Sequence, residues 1–111
     1  DAPTLVADDF FGAGCVLGTA VPLVGLDLST LKGSMAINSE NVGTGIGRDI
    51  LGHPLEALSW LANARAERGR NLKVGDFVLL GSLVETKWVD AGDVVEIAIE
   101  GLGTAKARFL G

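Results

Sequence analysis

The sequence predicts an α+β fold that is mostly β, with one main helix at about 54–68. Two observations predict this class. Leucines recur at helical spacing within that range, and short apolar runs separated by Gly, Asn and Asp turns precede and follow it. The 111 residues suit a single domain, 1–111, and the 48% hydrophobic content with mean hydropathy +0.39 indicates a folded chain.

The helix has recognisable start and stop signals. Pro54 suits the first helical position, where its missing N–H costs nothing, and Gly69 suits the position just after the end. We therefore predict a helix from Pro54 to Arg68, with an apolar stripe at Leu55, Leu58, Leu61 and Ala62. His53, the sole imidazole, has the chemistry to polarise a substrate, but a capping or packing role is favoured.

Strands are expected on the N-terminal side of the helix. We predict one at Cys15–Gly18 and a hairpin in which Gly33–Ile37 turns at 38–41 and returns from Val42. The glycines of 43–47 lack the spacing and the Lys of phosphate-binding loops, so a bent strand or a close backbone approach is favoured.

The helix is followed by a continuous apolar run, Phe77–Leu80, which predicts a strand covered on both faces. It stops at Gly81 and Ser82. A hydroxyl and backbone N–H groups at a strand end can bind a ligand, and an ordinary strand end is equally compatible with these residues.

Two closing strands are predicted at Val94–Glu100 and Thr104–Phe109, joined by a three-residue loop at 101–103. If Glu100 faces Thr104, then Glu96 faces Arg108. That pair of opposite charges supports the register.

Charge and composition exclude several classes of protein. A net charge of −5 and a pI near 4.6 disfavour nucleic acid as a partner. No apolar run is long enough to span a membrane. The single Cys15 cannot form an intrachain disulfide, so a cytoplasmic protein with a buried structural Cys is expected. The start Asp1-Ala2-Pro3 suggests a segment of a longer protein.

Asp8 and Asp9 lie beside Phe10 and Phe11. Adjacent carboxylates can bind a metal or act as an acid–base pair. A loop in which one of them caps a turn is the favoured alternative.

These motifs together resemble the C-terminal half of the 2-keto-4-pentenoate hydratase family, which includes the 4-oxalocrotonate decarboxylases and belongs to the fumarylacetoacetate hydrolase superfamily. The resemblance covers nearly the whole chain in order. Its motifs are Val6-Ala7-Asp8, Leu51-Gly52-His53-Pro54, Ser59-Trp60-Leu61-Ala62-Asn63, Leu72-Lys73-Val74-Gly75-Asp76, Leu80-Gly81-Ser82-Leu83, Ala91-Gly92-Asp93 and Gly101-Leu102-Gly103-Thr104.

The resemblance implies a mixed β-sheet roll and a metal-dependent reaction. Members of the family use Mg²⁺ or Mn²⁺ as a Lewis acid that binds a small 2-keto acid and stabilises an enolate. In this chain, Ser82 and the backbone of Gly81 and Leu83 would hold the substrate carboxylate. Asp8 would be the catalytic residue that borders the metal or a water molecule.

The metal ligands are expected outside this chain. The family's Glu-x-Glu pair lies upstream of the matching segment, and no Glu-x-Glu occurs in these 111 residues. We therefore expect a missing N-terminal half or a companion chain, and a homo-oligomer. A fragment, a split subunit and a degenerate relative remain open.

Gly52-His53-Pro54 favours a hydratase, because the decarboxylases of the family usually carry Asn-Asp-Pro at this position. The resemblance therefore implies a hydratase that acts in aromatic or steroid catabolism, with a decarboxylase as the alternative. A non-catalytic subunit is the second alternative. A C–C hydrolase is weaker, because Thr-Gly-Thr-Pro is absent. Asp9, Phe10 and Phe11 depart from the family pattern beside the implied pocket and put its usual substrate in doubt.

Overall fold

A computed structural model describes residues 14–110 of the chain. Four antiparallel strands form a sheet in the order β2-β1-β3-β4. The strands are β1 Lys32–Ile37, β2 Glu40–Ile46, β3 Val94–Ile99 and β4 Gly103–Arg108, and the α-helix, α1, is Pro54–Glu67. The mostly β, α+β class with one main helix is confirmed.

The hairpin predicted around residues 38–41 is confirmed, but its return strand begins at Glu40, two residues before the predicted Val42. Asn38 and Ser39 turn the chain with φ of 51° and 70°, so that Ile37 pairs with Glu40. Asn is among the residues that tolerate this left-handed geometry. A bulge at Val42 then bends β2.

Asn38 also ties this hairpin to the start of β3. Its side-chain amide donates to the Asp93 carboxylate at 2.8 Å and its carbonyl oxygen accepts from the Val94 N–H at 2.9 Å. The Asp90 backbone N–H, and then the Asn38 amide, hold the pKa of Asp93 below its ordinary value. The ionised carboxylate therefore accepts both hydrogen bonds at neutral pH.

Both ends of α1 are capped by local chemistry. His53 Nδ1 accepts the Leu55 N–H at 3.1 Å, which confirms the capping role. The helix ends at Glu67, one residue before the prediction, and Gly69 follows with φ of 71°. The Arg70 N–H donates to the Arg65 carbonyl, which closes a Schellman motif. Within residues 14–110, no helix has the length and apolarity needed to cross a membrane.

The register predicted for the last two strands is wrong by two residues. Glu96 pairs with Lys106, and Val94 pairs with Arg108. Glu100 belongs to the turn because the Leu102 N–H donates to the Ile99 carbonyl at 3.0 Å and so closes the chain around residues 100 and 101. The loop is therefore 100–102, and β4 begins at Gly103.

Three further predictions, two of strands and one of burial, are wrong. Cys15–Gly18 and Phe77–Leu80 form no strand in the described part of the chain, because neither segment makes ladder hydrogen bonds there. Phe77 and Leu79 are 75% and 79% exposed, so the second segment is covered on one face only. Cys15, expected to be buried, is exposed.

Candidate functional site

A cavity of about 480 Å³ separates α1 from the sheet. Among residues 14–110 no hydrophobic residue is fully buried, so the apolar side chains line this cavity instead of closing a core. Of the described residues that line it, Asp76 alone is charged, and its carboxylate accepts the Lys73 N–H at 2.8 Å. The aliphatic lining consists of Leu23, Leu28, Leu31, Ile50, Leu55, Leu58, Val78, Leu80, Leu83, Ile99 and Leu102.

The predicted substrate-binding residues lie at one wall of this cavity. Gly81 and Leu83 line it, whereas Ser82 is exposed and does not. Gly81 has φ of 142°, and a methyl group there would lie 3.2 Å from the Ile50 side chain. The loop thus runs between Ile50, just before α1, and the β1–β2 hairpin.

The Ser82 hydroxyl is engaged within its own turn. It donates to the Val84 carbonyl oxygen and accepts the Val84 N–H at 3.4 Å. A hydroxyl has a single O–H, so Ser82 must rotate away from Val84 before it donates to an anion.

The backbone N–H groups of the loop at residues 81–83 are available as hydrogen-bond donors. In the described part of the chain, the N–H groups of Gly81, Ser82 and Leu83 donate to no protein acceptor. Consecutive backbone N–H groups of this kind are the donors that carboxylates and phosphates use in loop sites. The segment therefore has the chemistry to bind a small anion.

The described residues do not fit a divalent metal ion. Between residues 14 and 110, no three His, Cys, Asp or Glu side chains come together. Several carboxylates instead hold turns: Asp49 accepts the Ile46 N–H, and Asp27 accepts the Ser29 hydroxyl at 2.6 Å. The hydroxyl and then the backbone N–H of Ser29 lower the pKa of Asp27. Asp8, the predicted catalytic residue, lies outside the described residues together with Asp9, Phe10 and Phe11.

Sequence reasoning missed one structural feature of the site. Gly33 of β1, together with Gly43 and Gly45 of β2, lies directly under Leu83 and Val84. The close backbone approach predicted for 43–47 is confirmed, but its partner was not foreseen. The alternating glycines of the strand were the available signal.

The antiparallel sheet and the helix across an apolar cavity define a mostly β, α+β module whose loop at residues 81–83 carries backbone N–H donors. Residues 4–110 match the family model described as fumarylacetoacetate (FAA) hydrolase C-terminal. The chain belongs to that family.

Its relatives are hydratases and decarboxylases. The chain is 36% identical over 111 residues to 4-oxalocrotonate decarboxylase of Pseudomonas putida, covering 99% of this chain and 42% of the relative. It is 38% identical over 105 residues to 2-keto-4-pentenoate hydratase of Paraburkholderia xenovorans strain LB400, covering 94% and 39%. The chain thus spans about two fifths of the length of these curated relatives.

A solved structure agrees with the fold. 4-Oxalocrotonate decarboxylase from Pseudomonas putida G7, complexed with calcium and acetate, superposes with a TM-score of 0.74 at 40% identity, covering 79% of this chain and 34% of that one. A second structure of that enzyme is complexed with magnesium and adipate, with the same TM-score and coverage. The predicted family resemblance is confirmed by these matches.

Proposed function

We propose that this chain is the C-terminal part of a divalent-metal-dependent hydratase, a lyase of small 2-keto acids such as 2-keto-4-pentenoate, in aromatic or steroid catabolism. The observation that carries the proposal is the family match over 4–110, within which Gly81 and Leu83 line the cavity and Ser82 lies between them on the exposed side of the loop. The cofactor is Mg²⁺ or Mn²⁺. Relatives complexed with calcium or magnesium support a divalent ion.

In this proposal the chain binds and orients the substrate. The substrate carboxylate accepts hydrogen bonds from the backbone of Gly81 and Leu83 and from the Ser82 hydroxyl, once that group has turned from Val84. Hydrogen bonds to a charged acceptor are about twice as strong as neutral ones, which favours a carboxylate over an uncharged ligand. The aliphatic cavity beside the loop gives the carbon chain of the substrate an apolar surface to contact.

We assign the metal ligands to a segment outside this chain. The basis is the family pattern, whose Glu-x-Glu pair has no counterpart in these 111 residues. Asp8 is proposed to border the metal or the attacking water, as the resemblance implies. We also assign the whole chain, 1–111, to one portion of a single catalytic domain.

The partner is proposed to cover the apolar residues that this chain leaves exposed. Val74, Leu79 and Trp88 are at least 79% exposed, a pattern more typical of an interface than of a free surface. An upstream half or a companion chain is the proposed cover, and we further propose a homo-oligomer. The exposed thiol of Cys15 fits a reducing, cytoplasmic compartment.

Replacing Ser82 by alanine tests the proposed carboxylate contact. The assay uses a chimera in which this chain replaces the matching segment of the Pseudomonas putida decarboxylase. We expect KM for 2-hydroxypenta-2,4-dienoate to rise at least about tenfold, because a hydrogen bond to a charged group contributes about 1.5–3 kcal/mol. The turnover number changes little, since the contact is made in the ground state and the transition state alike.

Two variants control this experiment. Ser59→Ala removes an exposed hydroxyl from α1 and leaves KM unchanged, and Ser82→Thr keeps the hydroxyl and most of the affinity. An unchanged KM in Ser82→Ala would remove Ser82 from the site.

Decarboxylation is the second candidate. Relatives with either activity match this chain almost equally, at 36% and 38% identity. Incubating the chimera separately with 4-oxalocrotonate and with the dienoate separates them: release of CO₂ identifies the decarboxylase, and hydration of the dienoate identifies the hydratase. A chimera that folds and binds Mg²⁺ but does neither supports a non-catalytic subunit.

A further inference from the structure

We propose that Gly33, Gly43 and Gly45 are positioning residues for the substrate-binding loop. They form a side-chain-free surface, here called the glycine floor, on which the Leu83 carbonyl group and the side chains of Leu83 and Val84 lie. By fixing Leu83 and Val84, the floor holds the N–H groups of residues 81–83 where a substrate carboxylate meets them. The inference rests on the proposed function, since it concerns the loop assigned there to carboxylate binding.

The floor is built by the pairing of β1 with β2. Gly33 pairs directly with Gly45, and Gly43 pairs with Met35 next to the bulge. All three glycines face the same short segment of chain, Leu83–Val84. The three glycines therefore form a single surface.

Each glycine leaves room for a different atom of that segment. A methyl group at Gly33 would lie 2.7 Å from Leu83 Cδ1, and one at Gly43 would overlap a Val84 methyl group. One at Gly45 would overlap the Leu83 carbonyl oxygen and lie 3.0 Å from the carbonyl carbon. Flexible side-chain ends can move aside at small cost, whereas the backbone carbonyl above Gly45 cannot move without shifting the loop.

Conformational freedom does not explain these glycines. None of the three is among the positive-φ residues, so any residue type could adopt their backbone geometry. Glycine inside a strand costs about 0.5–1 kcal/mol relative to alanine, and such glycines mark the close approach of another backbone. What these positions require is space for Leu83 and Val84.

The loop is also confined on its opposite side. Ile50 packs 3.2 Å from the position of a methyl group on Gly81, while the floor supports Leu83. Donors fixed in this way need no reorganisation when the anion arrives, which is the general advantage of a preorganised site. A displaced floor therefore weakens substrate binding more than it slows turnover.

The test compares Gly45→Ala and Gly43→Ala in the active chimera. We expect Gly45→Ala to raise KM at least tenfold with the turnover number within threefold, because the Leu83 carbonyl must shift. Thr44→Ala, on the exposed side of the same strand, is the matched control and leaves KM unchanged. A Gly45→Ala chimera with KM within twofold of the parent overturns the proposal.

A rescue experiment separates positioning from general damage. Gly43→Ala clashes only with the Val84 side chain, so adding Val84→Ala restores both the urea midpoint and KM towards the parent values. Val84→Ala added to Gly45→Ala restores neither, since that clash is with backbone. Equal rescue of both, or rescue of neither, contradicts the floor geometry.

The urea midpoints also distinguish the two proposals. The pattern of rescue in stability requires no turnover, and so it tests the floor even if the chimera proves inactive. If the chimera is inactive but the rescue is selective, the proposed function is wrong. The glycine floor then only supports packing, and its proposed role in substrate binding is overturned.

Discussion

Replacing Gly47 by alanine lowers the free energy of unfolding by about 3 kcal/mol or prevents folding, the upper range for overpacking a close contact. Gly47 is one of the few buried residues of the described chain. A methyl group there would overlap the Leu28 carbonyl oxygen and lie 2.7 Å from its carbon. Both are backbone atoms, so relief requires the chain itself to move.

The contact at Gly47 holds two loops together. Its N–H donates to the Leu31 carbonyl at 3.0 Å, and the Arg48 N–H donates to the Ser29 carbonyl at 2.7 Å. This contact between the two loops lies just before Ile50, which packs against Gly81. Loss of the contact therefore also loosens the proposed site.

Urea denaturation followed by circular dichroism measures the effect of Gly47→Ala. Gly14→Ala is the matched control, because a methyl group at Gly14 meets no atom of residues 14–110 within 4 Å. Equal urea midpoints for the two variants would contradict the close contact described between Gly47 and the Leu28 backbone.

Catalysis is expected to appear only when the chain is completed. The isolated chain should not hydrate 2-hydroxypenta-2,4-dienoate at any Mg²⁺ concentration, whereas the chimera should do so at least about 10³-fold faster. This ratio of rates follows from the several kcal/mol by which a Lewis-acidic ion stabilises the transition state, since about 1.4 kcal/mol corresponds to a factor of ten in rate. A chelator should return the chimera to the rate of the isolated chain, and added Mg²⁺ should restore it.

The comparison needs a folded control. Circular dichroism of the isolated chain provides this control, because the helical and β-sheet signals show whether the chain is folded. Turnover by the isolated chain at the rate of the chimera would show that all catalytic groups lie within these 111 residues.

Local chemistry made much of the fold predictable. The Pro54 start, the His53 cap and the Gly69 stop fixed α1 to within one residue, because capping acts over a few neighbouring residues. The Asn38–Ser39 turn fixed the first hairpin for the same reason.

Elements that depend on distant contacts were not predictable. The β3–β4 register failed because β3 also pairs with β1, where the Glu100 N–H donates to the Lys32 carbonyl 68 residues away, and the local charge pattern does not reveal that neighbour. The strand expected at Phe77–Leu80 failed because an apolar run does not reveal whether a neighbouring strand exists to pair with it.

The candidate site was only partly predictable. The resemblance identified Gly81, Ser82 and Leu83, and the structure puts Gly81 and Leu83 at the cavity wall. The engagement of the Ser82 hydroxyl with Val84 could not be foreseen, because it depends on a side-chain rotation. The role of Gly33 was hidden because its partner, Leu83, is 50 residues away.

Calorimetric titration of Mg²⁺ into the isolated chain and into the chimera tests most directly whether the metal ligands lie outside this sequence. We predict no saturable heat with the isolated chain and saturable binding of Mg²⁺ by the chimera, abolished by a chelator. Saturable, stoichiometric binding by the isolated chain would contradict the assignment of the ligands to another segment.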